Sequence, residues 1–306
     1  MQTTATESNP THPLTEPEVL AAFRKGPQRY IDVGHSRLAY WCFGEGPDLV
    51  FVHGWPLHAA TFRRLVPGLV REFRCHFLDL PGAGRSESDP GAPFGLVEHG
   101  ETLRRAIDLL GLDRYALVAH DSGAAMARLV AANDDRVTGL VLGNTEIPGH
   151  RSLQVTLLMT MTKIPGAMRM FSAAMRSRTV RHSSLGFGGC FEDPRYMDGD
   201  FHDLFIAPML DSPSVMAEQA RLLATLDFAV VDRMTETHAR IKAPVLLIWG
   251  SDDPFFPLEK ARGMVTQFAG GAEIQVIPRA KLFAHEDHAQ AFLALAKPFL
   301  QRARPS

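Results

Sequence analysis

The stretch Leu117-Val118-Ala119-His120-Asp121-Ser122-Gly123-Ala124 constrains this chain more than any other, because an apolar run enters a turn flanked by small residues and continues as helix. A strand that turns this sharply into a helix strains the backbone at its apex, so the positions two before and two after must be small. With Asp121 at the apex those positions are Ala119 and Gly123. With Ser122 at the apex they are His120 and Ala124, and an imidazole would sit where the turn leaves no room. The spacing therefore favours Asp121. An apex serine implies acyl transfer, whereas an apex carboxylate attacks saturated carbon and leaves an alkyl-enzyme ester. The competing explanation is a strand followed by an Asp/Ser helix N-cap, a common arrangement.

The 306 residues suffice for a full core and suit one domain carrying a large insertion. A formal net charge of -2 is made of both signs spread along the chain, without a basic block or acidic tail, so nucleic acid is not expected as a partner. Cys42, Cys75 and Cys190 are odd in number and far apart, which fits neither a disulfide framework nor a metal site and suggests a reducing compartment. Met1 to about Thr15 is polar, with neither a basic start nor an apolar centre. Residues 1–27 are expected to form a disordered lead and not a signal peptide. No apolar run approaches the length of a membrane span, so a cytoplasmic protein with no membrane partner is expected.

From Tyr30 onward short β-rich runs alternate with helical patterns, which predicts a mostly parallel sheet with helices on both faces. The expected strands are 29–33, 37–43, 48–53, 75–80, 115–120, 137–143, 244–250 and 273–277. Gly34-His35 makes a hairpin of the first two. Helices are expected near 61–72, 96–110, 122–132, 258–268 and 286–301. The alternation stops at Asn144 and resumes at Ala243. The segment between reads as helices and loops, with Met159, Met161, Met168, Met170 and Met175 in an apolar stretch broken by Gly186, Gly188 and Gly189. Residues 28–144 and 243–306 thus form a core. Residues 145–242 form a cap over the carboxyl ends of the strands, where open α/β sheets bind ligands. The methionines suit packing first, and a pocket for apolar substrates second.

Taken in this order, the turn, the sheet and the cap resemble the α/β-hydrolase superfamily, in particular its aspartate-nucleophile branch of epoxide hydrolases and haloalkane dehalogenases. The resemblance runs from about Tyr30 to Leu300. It implies an α/β-hydrolase fold with an eight-stranded, mostly parallel sheet and a helical cap after the sixth strand. His53-Gly54-Trp55-Pro56 is similar to the family's HGxP turn, which implies oxyanion-hole amides from Trp55 and from Ser122. Trp249-Gly250-Ser251-Asp252-Asp253-Pro254-Phe255-Phe256-Pro257 resembles the G-x-x-D-x-x-x-P loop, which implies that Asp253 orients the catalytic histidine. Glu146, just after the sixth strand, is the rival for that role. The family's Gly-His after the last strand is Lys281-Leu282 here. His285, three residues on, is the expected base, and its alternative is a helix-start residue in a protein without one. His288 falls inside the next helix, and His53 and His120 are supporting residues.

The residues after Asp121 narrow the leaving group. Haloalkane dehalogenases hold halide with an indole N–H from the next residue, which is Ser122 here. Fluoroacetate dehalogenases have arginines after the aspartate, where this chain has Ser122, Ala124 and Ala125. Epoxide hydrolases need no halide cage but do need an acid over the pocket. The candidate in the cap is Tyr196, with His182 and His202 nearby in sequence. The expectation is therefore epoxide opening to a diol, with haloalkane or haloacid dehalogenation as one alternative and a non-catalytic small-ligand binder as another. The expected partners are a small apolar organic substrate and water, and a homodimer is possible. No cofactor or metal is expected, and Pro81-Gly82-Ala83-Gly84-Arg85 reads as a backbone turn and not a dinucleotide site.

Overall fold

A computed structural model describes residues 14–184 and 186–304. Its nine strands are β1 (Arg29–Asp32), β2 (Ser36–Phe43), β3 (Asp48–Val52), β4 (Arg74–Leu78), β5 (Glu87–Ser88), β6 (Tyr115–His120), β7 (Val137–Gly143), β8 (Val245–Gly250) and β9 (Ala272–Ile277). They lie in the order β1-β2-β4-β3-β6-β7-β8-β9, and β5 pairs with β2. The β1–β2 hairpin and the β2–β4 pair are antiparallel, and from β4 to β9 the sheet is parallel. β6 is buried along its whole length, as expected of a central parallel strand covered on both faces. The sheet has one strand more than the sequence pattern predicts. β5 is only two residues long, too short for alternation to mark, and it pairs with the start of β2 at Ser36 and Arg37.

The expected disordered lead overlaps an observed helix. Glu16–Lys25 is helical, opened by a capping box between Thr15 and Glu18. Val19 and Phe23, one turn apart, are buried, and Phe23 packs on Trp41, Phe43 and Phe77 at 5.1–5.7 Å between ring centroids. Its anchor is therefore two residues of the short apolar run Val19-Leu20-Ala21-Ala22-Phe23, a weak signal until the sheet is built. Residues 1–13 lie outside the described residues.

Between Gly143 and Val245 the described residues form helices and turns without a strand, among them Leu153–Thr162, Ala167–Met175, Pro213–Ala224 and Phe228–Asp232. Val155, Leu158, Leu222, Leu226 and Phe228 of this segment close over the carboxyl ends of β3 and β6. Of the five methionines between Met159 and Met175 only Met175 is buried, and none of the five lines the cavity that Val155 and Leu158 help to close.

Candidate active site

The helix Asp121–Ala131 starts directly from β6, and the strain of that junction falls on one residue. Asp121 has φ 49°, and among the described residues the only other non-glycine with positive φ is Arg279. The turn is held from both sides. The Asp121 N–H donates to the Asn144 carbonyl at 2.8 Å, and the Thr145 hydroxyl donates to the Asp121 carbonyl at 2.9 Å. A Cβ at Gly123 would come within 2.3 Å of the His53 carbonyl oxygen, so the helix can cross β3 this closely only with glycine there. A Cβ at Gly54 would fall 2.5 Å from Asp121 Oδ2. The small-residue spacing is thus a requirement of packing as well as of φ.

Asp121 lies at the base of an apolar cavity of about 80 Å³, which it lines together with Trp55, Ser122 and Glu146. The Ser122 hydroxyl donates to Asp121 Oδ2 at 3.2 Å and accepts from the Trp55 amide at 3.0 Å. Burial pushes the Asp121 carboxyl well above the usual carboxylate range and the charge of Glu146 adds to this, while hydrogen bonding from Ser122 and from the Trp55 amide opposes it. Burial likewise raises Glu146, against the attraction of Arg128. The Thr145 hydroxyl, which touches the Asp121 carbonyl, is also 2.8 Å from Glu146 Oε2. Two carboxyls in one desolvated cavity hold a proton between them more readily than either would alone.

Arg128, fully buried, underpins this arrangement. Its guanidinium donates to the carbonyls of Ala124 and Glu146, to Thr145 Oγ1 at 2.9 Å and to His238 Nε2 at 3.0 Å. Its Nη2 lies 4.0 Å from Glu146 Oε2. Nothing in its sequence context singles Arg128 out, because its partners come from β7's exit loop and from a helix more than a hundred residues away.

The remaining candidates sit elsewhere. Asp253 accepts from Asn144 Nδ2 at 2.5 Å and from the amides of Phe255 and Phe256 at 2.7 and 3.2 Å, and burial pushes it up to about 7. Its bonds to described residues are to its own loop and to Asn144, and none is to a histidine. His285 is directed to another cluster: its Nε2 is 2.7 Å from Thr61 Oγ1, whose hydroxyl donates to Glu286 Oε1 at 2.8 Å. Since that hydroxyl has one proton, His285 must donate through Nε2, and that nitrogen offers no lone pair to a water. Burial, then the charge of Arg63, pushes the imidazole down to about 3. Arg63 and Glu286 form a buried ion pair at 2.9 Å. Tyr196 belongs to the same cluster: its hydroxyl donates to Glu286 Oε2 at 2.8 Å and accepts from Arg64 at 3.0 Å. The expected Asp253–His285 pair and the expected cap acid are therefore not assembled over Asp121. Leu282 is buried at the position where the resemblance places the histidine.

Several polar residues of the cavity escape the sequence pattern, His150 and Gln219 among them. His150 donates through Nε2 to the Phe255 carbonyl at 2.8 Å, with Lys260 Nζ 3.0 Å from Nδ1. Gln219 donates to the Gly82 carbonyl at 3.2 Å, and its buried Oε1 has no partner among the described residues. His150 has a usable signal in its place four residues after Glu146, whereas Gln219 lies inside an ordinary amphipathic helix. No group of three His, Cys, Asp or Glu side chains among the described residues is placed to hold a metal ion.

Residues 47–180 match the family model for the alpha/beta hydrolase fold. Haloalkane dehalogenase 2 of Mycobacterium bovis is 28% identical over 270 residues, covering 85% of this chain and 90% of its own. Pimeloyl-[acyl-carrier protein] methyl ester esterase of Yersinia enterocolitica is 26% identical over 278 residues, covering 86% and 98%. Among solved structures, an alpha/beta hydrolase fold protein from Burkholderia ambifaria superposes with a TM-score of 0.74 at 26% identity, covering 88% of this chain and 96% of that one. The epoxide hydrolase CorEH superposes with a TM-score of 0.77 at 19% identity, covering 90% and 99%, a likeness of fold alone. With its parallel sheet, its strained turn at the end of β6 and these relatives, the chain has the α/β-hydrolase fold and is an enzyme similar to the hydrolases that share it.

Proposed function

We propose that this hydrolase opens a small apolar epoxide to a diol through an ester on Asp121, with Glu146 moving the protons. The observation that carries this reading is the placement of Asp121 at the strained apex beside Glu146 in one apolar cavity. One proton shared by the pair leaves Asp121 ionised to attack an epoxide carbon while neutral Glu146 gives its proton to the departing alkoxide. Glu146, now a carboxylate, takes a proton from water as that water attacks the ester carbonyl, and the amides of Trp55 and Ser122 face the developing oxyanion. Collapse expels the diol oxygen, which takes the proton left on the new Asp121 carboxyl. Asp121 returns as carboxylate and Glu146 as acid. The same group acts as acid and then as base, as in retaining glycosidases.

An epoxide is favoured over a halide by the tryptophans. All three indole N–H groups are given to backbone carbonyls: Trp41 to Gly26 at 2.8 Å, Trp55 to Gln219 at 3.0 Å and Trp249 to Phe256 at 2.8 Å. None is left to hold a departing halide. Dehalogenation is the second reading, favoured by the relative named haloalkane dehalogenase 2.

A single-turnover reaction in ¹⁸O-water with a panel of terminal epoxides tests the proposal. Label is expected in the Asp121 carboxylate, with the first-turnover diol unlabelled at the newly formed hydroxyl. Label in that first diol would exclude the ester. Halide release from haloalkanes without epoxide opening would assign the second reading. Binding without turnover, unchanged by Asp121→Asn, would make the protein a binder.

A further inference from the structure

From Ile147 to Phe191 the chain has no aspartate or glutamate but six basic residues: Arg151, Lys163, Arg169, Arg176, Arg178 and Arg181. Arg151, Arg176 and Arg178 are paired with Asp232, Asp211 and Asp198 of later segments, and Arg181 donates to backbone carbonyls. Lys163 and Arg169 are exposed and have no ion-pair partner among the described residues. They stand beside four of the large apolar side chains that are exposed among the described residues. Leu153 is 79% exposed, Leu157 55%, Ile164 54% and Met170 74%. Leu153 and Leu157 are one turn apart on the helix Leu153–Thr162, with Ile164 following at helical spacing, and the next helix, Ala167–Met175, adds Met170. The opposite face of the first helix sends Val155 and Leu158 into the cavity over Asp121.

We propose that this face of the cap docks on an anionic lipid surface, with Leu153, Leu157, Ile164 and Met170 in the interface and Lys163 and Arg169 at the headgroups. Apolar side chains alternating with unpaired cations, in a stretch whose nearby aspartates Asp232, Asp211 and Asp198 are each paired with an arginine, are the composition of a peripheral membrane contact. Docking is peripheral, since no helix among the described residues is long and apolar enough to cross a bilayer. A second copy of the chain suits the face less well, because two-fold pairing would bring Lys163 and Arg169 against the same cations of the partner. Since one helix forms both the docking face and the cavity wall, an apolar substrate dissolved in the bilayer would enter beneath the cap from the lipid side. The docking does not depend on the chemistry proposed for Asp121 and is read without turnover.

Flotation of the full chain tests the proposal, using vesicles of phosphatidylcholine alone and of phosphatidylcholine mixed with phosphatidylglycerol. Binding is expected to the mixed vesicles, weakening with salt. Lys163→Gln with Arg169→Gln should lower partitioning about 25-fold, from roughly fivefold per cation. Leu153→Gln with Leu157→Gln should abolish it, with the melting temperature unchanged. Absence of binding to the mixed vesicles, or binding indifferent to these substitutions, would overturn the proposal. So would a dimer in sedimentation velocity that Leu153→Gln with Leu157→Gln dissolves, which would assign the face to a second copy.

Discussion

Glu146→Gln separates the carboxyl-pair mechanism from one that relies on His285. The amide has nearly the same shape as the acid and can keep a hydrogen bond to Thr145, whose hydroxyl is 2.8 Å from Glu146 Oε2. It can neither give up a proton as an acid nor take one as a base. Loss of a positioned acid or base costs about 10²–10⁴ in rate, which is about 3–5 kcal/mol of barrier. The two steps should not suffer equally. Glu146 raises the Asp121 pKa, so removing its charge favours the ionised nucleophile and partly offsets the lost proton donor during alkylation. Hydrolysis has no such compensation. The ester should therefore accumulate, and intact-protein mass spectrometry after mixing with an epoxide should show an adduct carrying the whole mass of the epoxide, mapped to Asp121. His285→Gln should show no adduct, because its Nε2 is spent on Thr61. The reasoning fails if Glu146→Gln turns over within about threefold of wild type, well below the expected loss, or if His285→Gln is the variant that traps the ester.

Three further outcomes rest on the packing. Gly123→Ala places a Cβ 2.3 Å from the His53 carbonyl oxygen, so urea denaturation should show a loss of at least about 1–3 kcal/mol. Gly91→Ala, which meets nothing within 4 Å, should leave stability unchanged. Arg63→Met strands the fully buried Glu286 carboxylate and should cost about 3–5 kcal/mol; a loss below about 1 kcal/mol would show that the pair is not the anchor of this cluster. For His285 the folded pKa of about 3 lies below the ordinary 6.5, so the unfolded chain binds a proton that the folded one refuses. Its contribution is complete above pH 6.5 and is lost as pH falls towards 3. Urea titrations should therefore show wild type losing stability relative to His285→Gln by about 1.4 kcal/mol per pH unit across that window, and a flat difference would refute the assignment.

The features legible in the sequence are those enforced by a few neighbouring residues. Ala119 and Gly123 point to Asp121 as the apex because a strained turn excludes side chains locally, and the structure puts φ 49° on Asp121. The β1–β2 hairpin, β6, β7 and β8 are visible as apolar runs bounded by turns. β5 is too short to show a period, and the helix Glu16–Lys25 is a ten-residue element whose apolar run finds its aromatic partners only in the sheet. Tyr196 reads as a cap residue free to point inwards, yet Arg64 and Glu286, 132 and 90 residues away in the chain, both bond its hydroxyl.

His285 shows the same division most sharply. Its distance from Leu282 along the chain is three residues, but its orientation is decided by Thr61, 224 residues earlier. The order and type of adjacent residues are enough to set the alternation of strands and helices, the apex of the turn and the absence of acidic residues from the cap's exposed stretch. It takes the folded chain to bring Glu146 into the cavity of Asp121 and to bond Asp253, His285 and Tyr196 elsewhere. Which polar group faces which is governed by burial, since a desolvated donor or acceptor must find a partner wherever the fold brings one within reach.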